Sequence, residues 1–306
     1  MRRRLVLVLA AGLTSAACGG GGAKVTLGPG TIAFVSTDGG DYAIYLADAD
    51  GTETARLTKN RDLDKQGPGT RFQDAPAWSP DGTQIVFDSN RTGTYELYVL
   101  AATSGRERRL GVPGADPAYS PDGKRIVFDG PSGGLSSVAS DGTGARRLTK
   151  PGRAELEPSW SPDGSRVVFV RRQGFRGQLW IVGADGGGER RLTHAKADET
   201  DPSWSPGGRW IAFSSDRSGT HQIYVVRPDG TGLRRVTVSA TDDTHPTWSP
   251  DGERIAYARA DGLFVVGADG SGATLVTGGS ALGPAWRPLP EPRRRAWPGG
   301  AGSKPG

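Results

Sequence analysis

The stretch Pro158-Ser-Trp160-Ser-Pro-Asp-Gly164, followed two residues later by Val167-Val-Phe169, decides the fold because the chain repeats it. Pro-Asp-Gly favours a tight turn, since proline presets φ, aspartate bonds back to the backbone and glycine accepts positive φ. The apolar run after the turn is typical of a buried strand. Six copies align on an aromatic residue, at Trp78, Tyr119, Trp160, Trp204, Trp248 and Trp286. Their spacings of 41, 41, 44, 44 and 38 residues indicate a repeat protein.

A second unit follows each copy of the first, as in Ile223-Tyr-Val-Val226, a turn, and Arg234-Arg-Val-Thr237. Each period therefore predicts four short strands with no helical pattern between them, which is a propeller blade. The last copy stops after Trp286-Arg-Pro288, and the segment Thr31-Ile-Ala-Phe34 supplies the strand that should follow it. We predict an all-β, six-bladed β-propeller with four-stranded blades over residues 29–288, closed by a blade shared between the N- and C-terminal ends.

The N-terminal residues 1–17 are typical of a signal peptide, with three arginines before a nine-residue apolar run. That run is shorter than the roughly 20 residues of a membrane-spanning helix. Small residues before Cys18 resemble the lipidation motif of bacterial lipoproteins; the alternative is cleavage after Ala17 that leaves a free thiol. We expect residues 18–28 to form a lipidated cysteine with a glycine-rich tether, and residues 289–306 to form a disordered Pro/Gly/Arg tail.

Composition argues against several classes of protein. One cysteine and three histidines give little material for disulfides or a metal centre, so we expect no cofactor and no metal. The formal charge of +5 falls to 5 − 3 = +2 without the three arginines of residues 1–17, which argues against a nucleic-acid partner. Arginine pairs recur on the predicted outermost strands, and we interpret them as solvated edges that deter strand pairing. These pairs are Arg108-Arg109, Arg146-Arg147, Arg190-Arg191 and Arg234-Arg235.

The candidate site is a ring of polar residues three positions before each repeated aromatic. The ring consists of Ala75, Asp116, Glu157, Asp201, His245 and Gly283, and two positions further back stand Gln73, Glu155, Glu199 and Asp243. We predict that Asp116, Glu157, Asp201, His245, Glu199 and Asp243 line an acidic channel mouth that receives a basic partner. The alternative is ordinary polarity at loop ends. We interpret the aspartates of the repeated turns, Asp81, Asp122, Asp163 and Asp251, as structural.

The repeats Pro-x-Trp-Ser-Pro-Asp-Gly, Ile-Tyr-Val-Val and Arg-Arg-Leu-Thr together resemble the WD40-like (PD40) repeat of the TolB family. They are also similar to the propellers of tricorn-type and prolyl-oligopeptidase-type proteases. The resemblance covers roughly residues 29–288. The TolB family carries an α/β domain before its propeller, and only Gly19 to Gly28 lies between Cys18 and the first strand. The hydrolase-like motif Gly130-Pro-Ser132-Gly-Gly134 falls between two strands with no helix after it, so we interpret it as a chance match.

The resemblance implies a non-catalytic lipoprotein that binds an envelope protein or peptide as a monomeric scaffold. Its expected location is the periplasmic or cell-surface side of a bacterial membrane, held only by the lipid on Cys18. Two alternatives remain open at this point. One is an envelope glycan lyase or hydrolase that uses channel carboxylates, and the other is an accessory propeller of a peptidase system.

Overall fold

The computed structural model describes residues 27–28, 30–38, 42–58 and 73–289. The predicted signal peptide, Cys18, most of the tether and the tail beyond Leu289 lie outside these residues. The described part forms strands joined by turns, with no helix. The strands are β1 (Thr31–Ser36), β2 (Ala43–Asp48), β3 (Thr54–Arg56), β4 (Gln73–Trp78), β5 (Gln84–Ser89), β6 (Glu96–Ala101), β7 (Glu107–Pro113), β8 (Ala115–Tyr119), β9 (Arg125–Asp129), β10 (Leu135–Ala139), β11 (Arg146–Arg147), β12 (Glu155–Trp160), β13 (Arg166–Gln173), β14 (Arg176–Gly183), β15 (Arg190–Arg191), β16 (Glu199–Trp204), β17 (Ile211–Ser215), β18 (Gln222–Val226), β19 (Arg234–Arg235), β20 (Asp243–Trp248), β21 (Arg254–Arg259), β22 (Gly262–Gly267), β23 (Thr274–Gly278) and β24 (Leu282–Trp286).

These strands form six antiparallel sheets of four strands each, which confirms the prediction of a six-bladed propeller. Blade 1 has the order β24-β1-β2-β3, and blades 2 to 6 take the remaining strands in groups of four, from β4–β7 to β20–β23. In blade 1, Ile32 lies opposite Trp286 and Ala33 opposite Ala285. The innermost strands, β24, β4, β8, β12, β16 and β20, contact one another around the ring. Blade 1 therefore combines strands from both ends of the described chain.

The repeated turn after each inner strand is held by its own side chains. In blade 4, Ser161 Oγ donates to Asp163 Oδ1 at 2.5 Å, and the same oxygen accepts the Ser165 N–H at 3.0 Å. Gly164 has φ +69°, a conformation that glycine adopts at little cost. The hydrogen bond from Ser161 contributes most to lowering the pKa of Asp163. Asp163 therefore holds the turn through its hydrogen bonds, in agreement with its interpretation as a structural residue.

The hydrophobic core lies between the blades, because each pair of neighbouring sheets buries one cluster of apolar side chains. Between blades 4 and 5, Trp204 packs with Val170, Leu179 and Phe213. Some tryptophans also bond across the gap: Trp248 Nε1 donates to Ser203 O at 3.2 Å. Burying a side chain of this size contributes about 1.5–3 kcal/mol. The repeated aromatic therefore holds adjacent blades together.

The paired arginines do lie on the outermost strands, but the first arginine of each pair does more than stay solvated. Arg108 Nη1 donates to Asp141 O at 3.2 Å, Arg146 Nη2 to Ala184 O at 3.2 Å, and Arg234 Nη2 to Ala268 O at 2.6 Å. Each carbonyl belongs to the next blade. The solvated-edge interpretation is incomplete, since these arginines also link neighbouring blades at their outer rim.

Candidate functional site

A β-bulge at the same place in the inner strands builds the channel ring, defined as Ala75, Asp116, Glu157, Asp201, His245 and Gly283. All six residues have left-handed backbone conformations, with φ between +46° and +56°. Strand pairing shifts at the same place, for example between Thr200 and Ser203. Positive φ is uncommon for residues other than glycine and indicates a local constraint. The bulge interrupts the alternation of side chains between the two faces of the strand. The ring position therefore does not follow the pattern of its neighbours.

Hydrogen bonds link members of the channel ring from blade to blade. The Asp201 N–H donates to Glu157 Oε2 at 2.6 Å, and the His245 N–H donates to Asp201 Oδ2 at 3.3 Å. The His245 Nε2 atom also lies 3.4 Å from Asp201 Oδ1. Thr200 and Ser214 hydroxyls donate to Asp201 Oδ2 at 2.8 and 3.0 Å. The N–H groups of Asp201 and His245 are thereby satisfied by side chains of the preceding blade, and Asp201 links Glu157 to His245.

The carboxylates of Asp116 and Asp201 lie close enough to Glu157 to affect its ionisation, and these three residues form the acidic arc of the channel ring. Burial raises the pKa of Glu157 well above its ordinary value of 4.5, and the negative charges of Asp201 and Asp116 raise it further. The Asp201 N–H and the positive charge of Arg172 oppose this shift only in part. Glu157 therefore tends to keep its proton between two acidic neighbours. The structure brings Asp116, Glu157, Asp201 and His245 together in the channel ring.

Glu199 and Asp243 do not join this ring, and the prediction that they line the mouth is wrong. Both side chains are fully buried. Asp243 Oδ1 accepts from Arg259 Nε at 2.7 Å, and Glu199 Oε1 accepts from Arg217 Nη2 at 2.5 Å. Their neighbour Glu155 in blade 4 is paired in the same way with Arg171. Each of these acids is buried in its blade and paired with an arginine, which lies on the second strand for Arg171 and Arg259 and just after it for Arg217.

Two further carboxylates near the ring were not predicted. Asp88 Oδ1, on the second strand of blade 2, accepts the Asp116 N–H at 3.1 Å. Asp129 occupies the equivalent position in blade 3, and burial raises its pKa to about 6. Among the described residues, its Oδ1 atom is buried without a hydrogen-bond partner. The signal was present in the sequence, because Phe-Asp ends the apolar run only at Phe87-Asp88 and Phe128-Asp129.

A projecting hairpin of blade 4 stands at the same end of the propeller as the starts of the inner strands. Strands β13 and β14 each have 8 residues, and Glu155 at the start of the inner strand lies opposite Arg171. Gln173 and Arg176 therefore extend beyond the inner strand, and Phe175 at the tip is 96% exposed. Phe175 is thus an exposed aromatic side chain at the end of the propeller where the inner strands begin.

Within the described ranges, no group of three or more His, Cys, Asp or Glu side chains is arranged to hold a metal ion. The same residues contain no helix of the length and apolarity needed to cross a membrane.

Comparison with known proteins places this architecture in a family. The sequence matches the TolB beta propeller domain family (PD40) over residues 28–187 and 143–289. It is 35% identical over 75 residues to the Tol-Pal system protein TolB of Desulfosudis oleivorans, covering 24% of this chain and 15% of that protein. It is 33% identical over 79 residues to the TolB homolog of Chlorobium luteolum, covering 26% and 16%. These matches therefore span less than a fifth of either relative. The crystal structure of TolB from Acinetobacter baumannii has TM-score 0.71 and 25% identity, covering 85% of this chain and 67% of that one.

Proposed function

Because this chain belongs to the TolB β-propeller family, we propose that it is a non-catalytic scaffold that binds a basic segment of an envelope protein or peptide at its channel ring. One relative is a component of the Tol-Pal system by its description, which supports a partner of the protein class. The observation that carries the proposal is the convergence of Asp116, Glu157 and Asp201 on one arc of the ring.

The acidic arc does not favour the stability of the isolated fold. Like charges that converge in a half-buried site repel one another, and burial disfavours the ionised form of Glu157. An amide at these positions would accept the same backbone N–H groups without the repulsion. A lysine or arginine side chain from a partner would relieve the repulsion on binding. The arc therefore suits recognition of a cation better than it suits the isolated fold.

Binding of a cation should be coupled to release of a proton. A positive charge beside Glu157 stabilises its carboxylate, so the raised pKa falls towards the ordinary value of 4.5 when the partner binds. Affinity should therefore increase as the pH rises between 4.5 and the raised pKa of Glu157 in the free protein.

Phe175 supplies a second type of contact for the same partner. Aromatic side chains are frequent anchors in protein interfaces, and this one projects from the hairpin at the end of the propeller where the inner strands begin. An apolar anchor beside an acidic arc fits a segment that carries both basic and apolar side chains.

We propose that the scaffold acts as a monomer in the bacterial envelope, tethered to a membrane through lipid on Cys18.

The test is site-specific photo-crosslinking in cells. A photoreactive residue replaces Ala75, a ring member with a small side chain, and in a second strain it replaces Thr54 on the outer strand of blade 1. We expect a discrete protein adduct from position 75 that is lost in the Asp116→Asn/Glu157→Gln/Asp201→Asn variant. No adduct from position 75, or the same adduct from position 54, would contradict the proposal. A small-molecule turnover lost on changing one single carboxylate would instead support the enzyme alternative.

A further inference from the structure

A second charged surface lies between blades 4 and 5, at the other end of the inner strands. An open groove of about 600 Å³ is lined by Arg166, Arg190, Arg209, Trp210, Arg227, Pro228 and Asp229. Its charged lining sums to 4 − 1 = +3. The acidic arc lies near the starts of the inner strands, whereas this groove lies at the turns that follow them. The two surfaces are therefore separate.

The other blades act as an internal control for this groove. Blade 4 carries Asp163, Ser165, Arg166 and Gly183, and blade 5 replaces them with Gly207, Arg209, Trp210 and Arg227. The fold does not require this change, since the other blades form the same turn without it. The four departures remove an acid, add an arginine at each of two positions and exchange one arginine for tryptophan. Their net effect on charge is 1 + 1 − 1 + 1 = +2, and Arg209, Trp210 and Arg227 line the groove.

The equivalent groove between blades 2 and 3 shows the opposite charge. It has a volume of about 530 Å³ and contains Asp81, Asp122 and Asp141 with one arginine, Arg108, a sum of 1 − 3 = −2. The groove geometry is thus common to the repeat, and only the side chains differ. The two grooves therefore differ in the sign of their charge, although they occupy equivalent places in the repeat.

The arginines of the basic groove are available to an incoming anion. None of Arg166, Arg190, Arg209 and Arg227 forms an ion pair within the part of the chain that the structure describes. Arg190 Nη2 donates one hydrogen bond to Pro228 O at 2.5 Å, which leaves its other donors free of carboxylates. The Arg227 guanidinium lies 5.3 Å from the centre of the Trp210 ring. Arg209 and Arg227 are exposed.

We propose that this groove binds a short acidic peptide segment. Guanidinium groups pair with carboxylates through parallel hydrogen bonds. The half-buried Trp210 ring has the Arg227 and Arg234 guanidinium groups 5.3 and 5.5 Å from its centre. The four arginines come from separate strands and turns of two blades, so they suit several spaced carboxylates better than one compact anion.

The experiment measures binding of a hexaglutamate peptide, carrying a neutral dye, to the intact mature protein by fluorescence anisotropy. Arg209→Ser/Arg227→Gly restores the blade 4 residues, and Gly207→Asp/Arg209→Ser/Trp210→Arg/Arg227→Gly restores the whole blade 4 pattern. Both variants should fold, because blade 4 already carries these residues in the same turn. Lys124→Ser is the matched control, since it removes an exposed cation at the position of blade 3 that corresponds to Arg209.

We expect the double variant to bind hexaglutamate about tenfold more weakly than the wild type, with no change for Lys124→Ser. The acidic-arc variant Asp116→Asn/Glu157→Gln/Asp201→Asn should retain this binding, which separates the groove from the channel ring. Equal losses in the double variant and in Lys124→Ser would overturn the proposal, as would a wild type that does not bind. Binding of heparin that is tighter than that of hexaglutamate and is lost in the same variants would replace the peptide with a polyanionic glycan.

Discussion

Replacing Glu157 by glutamine should stabilise the protein, and the gain should grow with pH. The native state holds the proton of Glu157 more tightly than the unfolded chain does, because its pKa is raised well above 4.5. Wild-type stability therefore falls as the pH rises from 4.5 to the raised native pKa, since the unfolded state loses this proton first. Glutamine has no proton to lose, and its amide oxygen can accept the Asp201 N–H that now donates to Glu157 Oε2 at 2.6 Å.

The size of the effect follows from the environment of Glu157. Each unit by which the pKa is raised corresponds to about 1.4 kcal/mol of stability lost above that pKa. Two acidic neighbours and burial act against one arginine and one backbone hydrogen bond, so we expect a gain above about 1 kcal/mol at pH 8. For a propeller of this size that is an increase in melting temperature of roughly 2–4 °C. At pH 4.5 the two proteins should melt at nearly the same temperature.

The assay is urea unfolding followed by tryptophan fluorescence between pH 4.5 and 8, with Asp243→Asn as the matched control. That change also converts a carboxylate to an amide, but it leaves the Arg259 guanidinium without its partner at 2.7 Å. It should therefore destabilise by about 3–5 kcal/mol at pH 8. A Glu157→Gln variant that is less stable than the wild type at pH 8 would refute the reasoning, because the ionised carboxylate would then be favourable in the folded state.

Three other predictions concern the anchor, the ring closure and the blade interior. Cys18→Ser should release the protein from membranes, and metabolic acyl labelling should mark the wild type only; an unlabelled wild type would mean that Ala17 is simply the last signal residue. Deleting Gly28 to Ser36 should unfold the whole propeller by removing the partner strand of β24, whereas removing Pro290 to Gly306 should change the melting temperature little, as calorimetry would show. Thr193→Val should cost about 1–3 kcal/mol in urea unfolding, because the hydroxyl serves both the Leu179 N–H at 3.2 Å and the buried Glu199. Thr54→Val at an exposed position should be nearly neutral by the same measurement.

The sequence predicted the repeat, the blade count and the acidic arc, because each depends on residues that recur at one phase. Turn residues and apolar runs set the strands, and the equivalence of blades then places Asp116, Glu157 and Asp201 together. The burial of Glu199 away from the channel ring could not be predicted in this way. Simple alternation puts Glu199 and Asp201 on one side of a strand, but positive φ at Asp201 and the register shift after Thr200 separate them.

Arginines on the second strands were the signal that was missed. Arg171 and Arg259 lie opposite Glu155 and Asp243 in the strand register, so each buried acid could have been matched to a cation. The groove between blades 4 and 5 could not be predicted from the sequence for another reason. Its residues come from a turn, two strand ends and a hairpin, and their convergence depends on how two blades pack.

The most direct test of the channel-ring proposal is the affinity of a hexalysine peptide at low and at physiological salt. We expect binding to the wild type that weakens with salt, and at least about tenfold weaker binding to a folded Asp116→Asn/Glu157→Gln/Asp201→Asn variant. The matched control is Glu53→Gln/Glu253→Gln/Asp261→Asn, which removes as many exposed acids outside the ring. Equal affinities for the wild type and the ring variant, or equal losses in both variants, would contradict the proposal that the channel ring receives a basic partner.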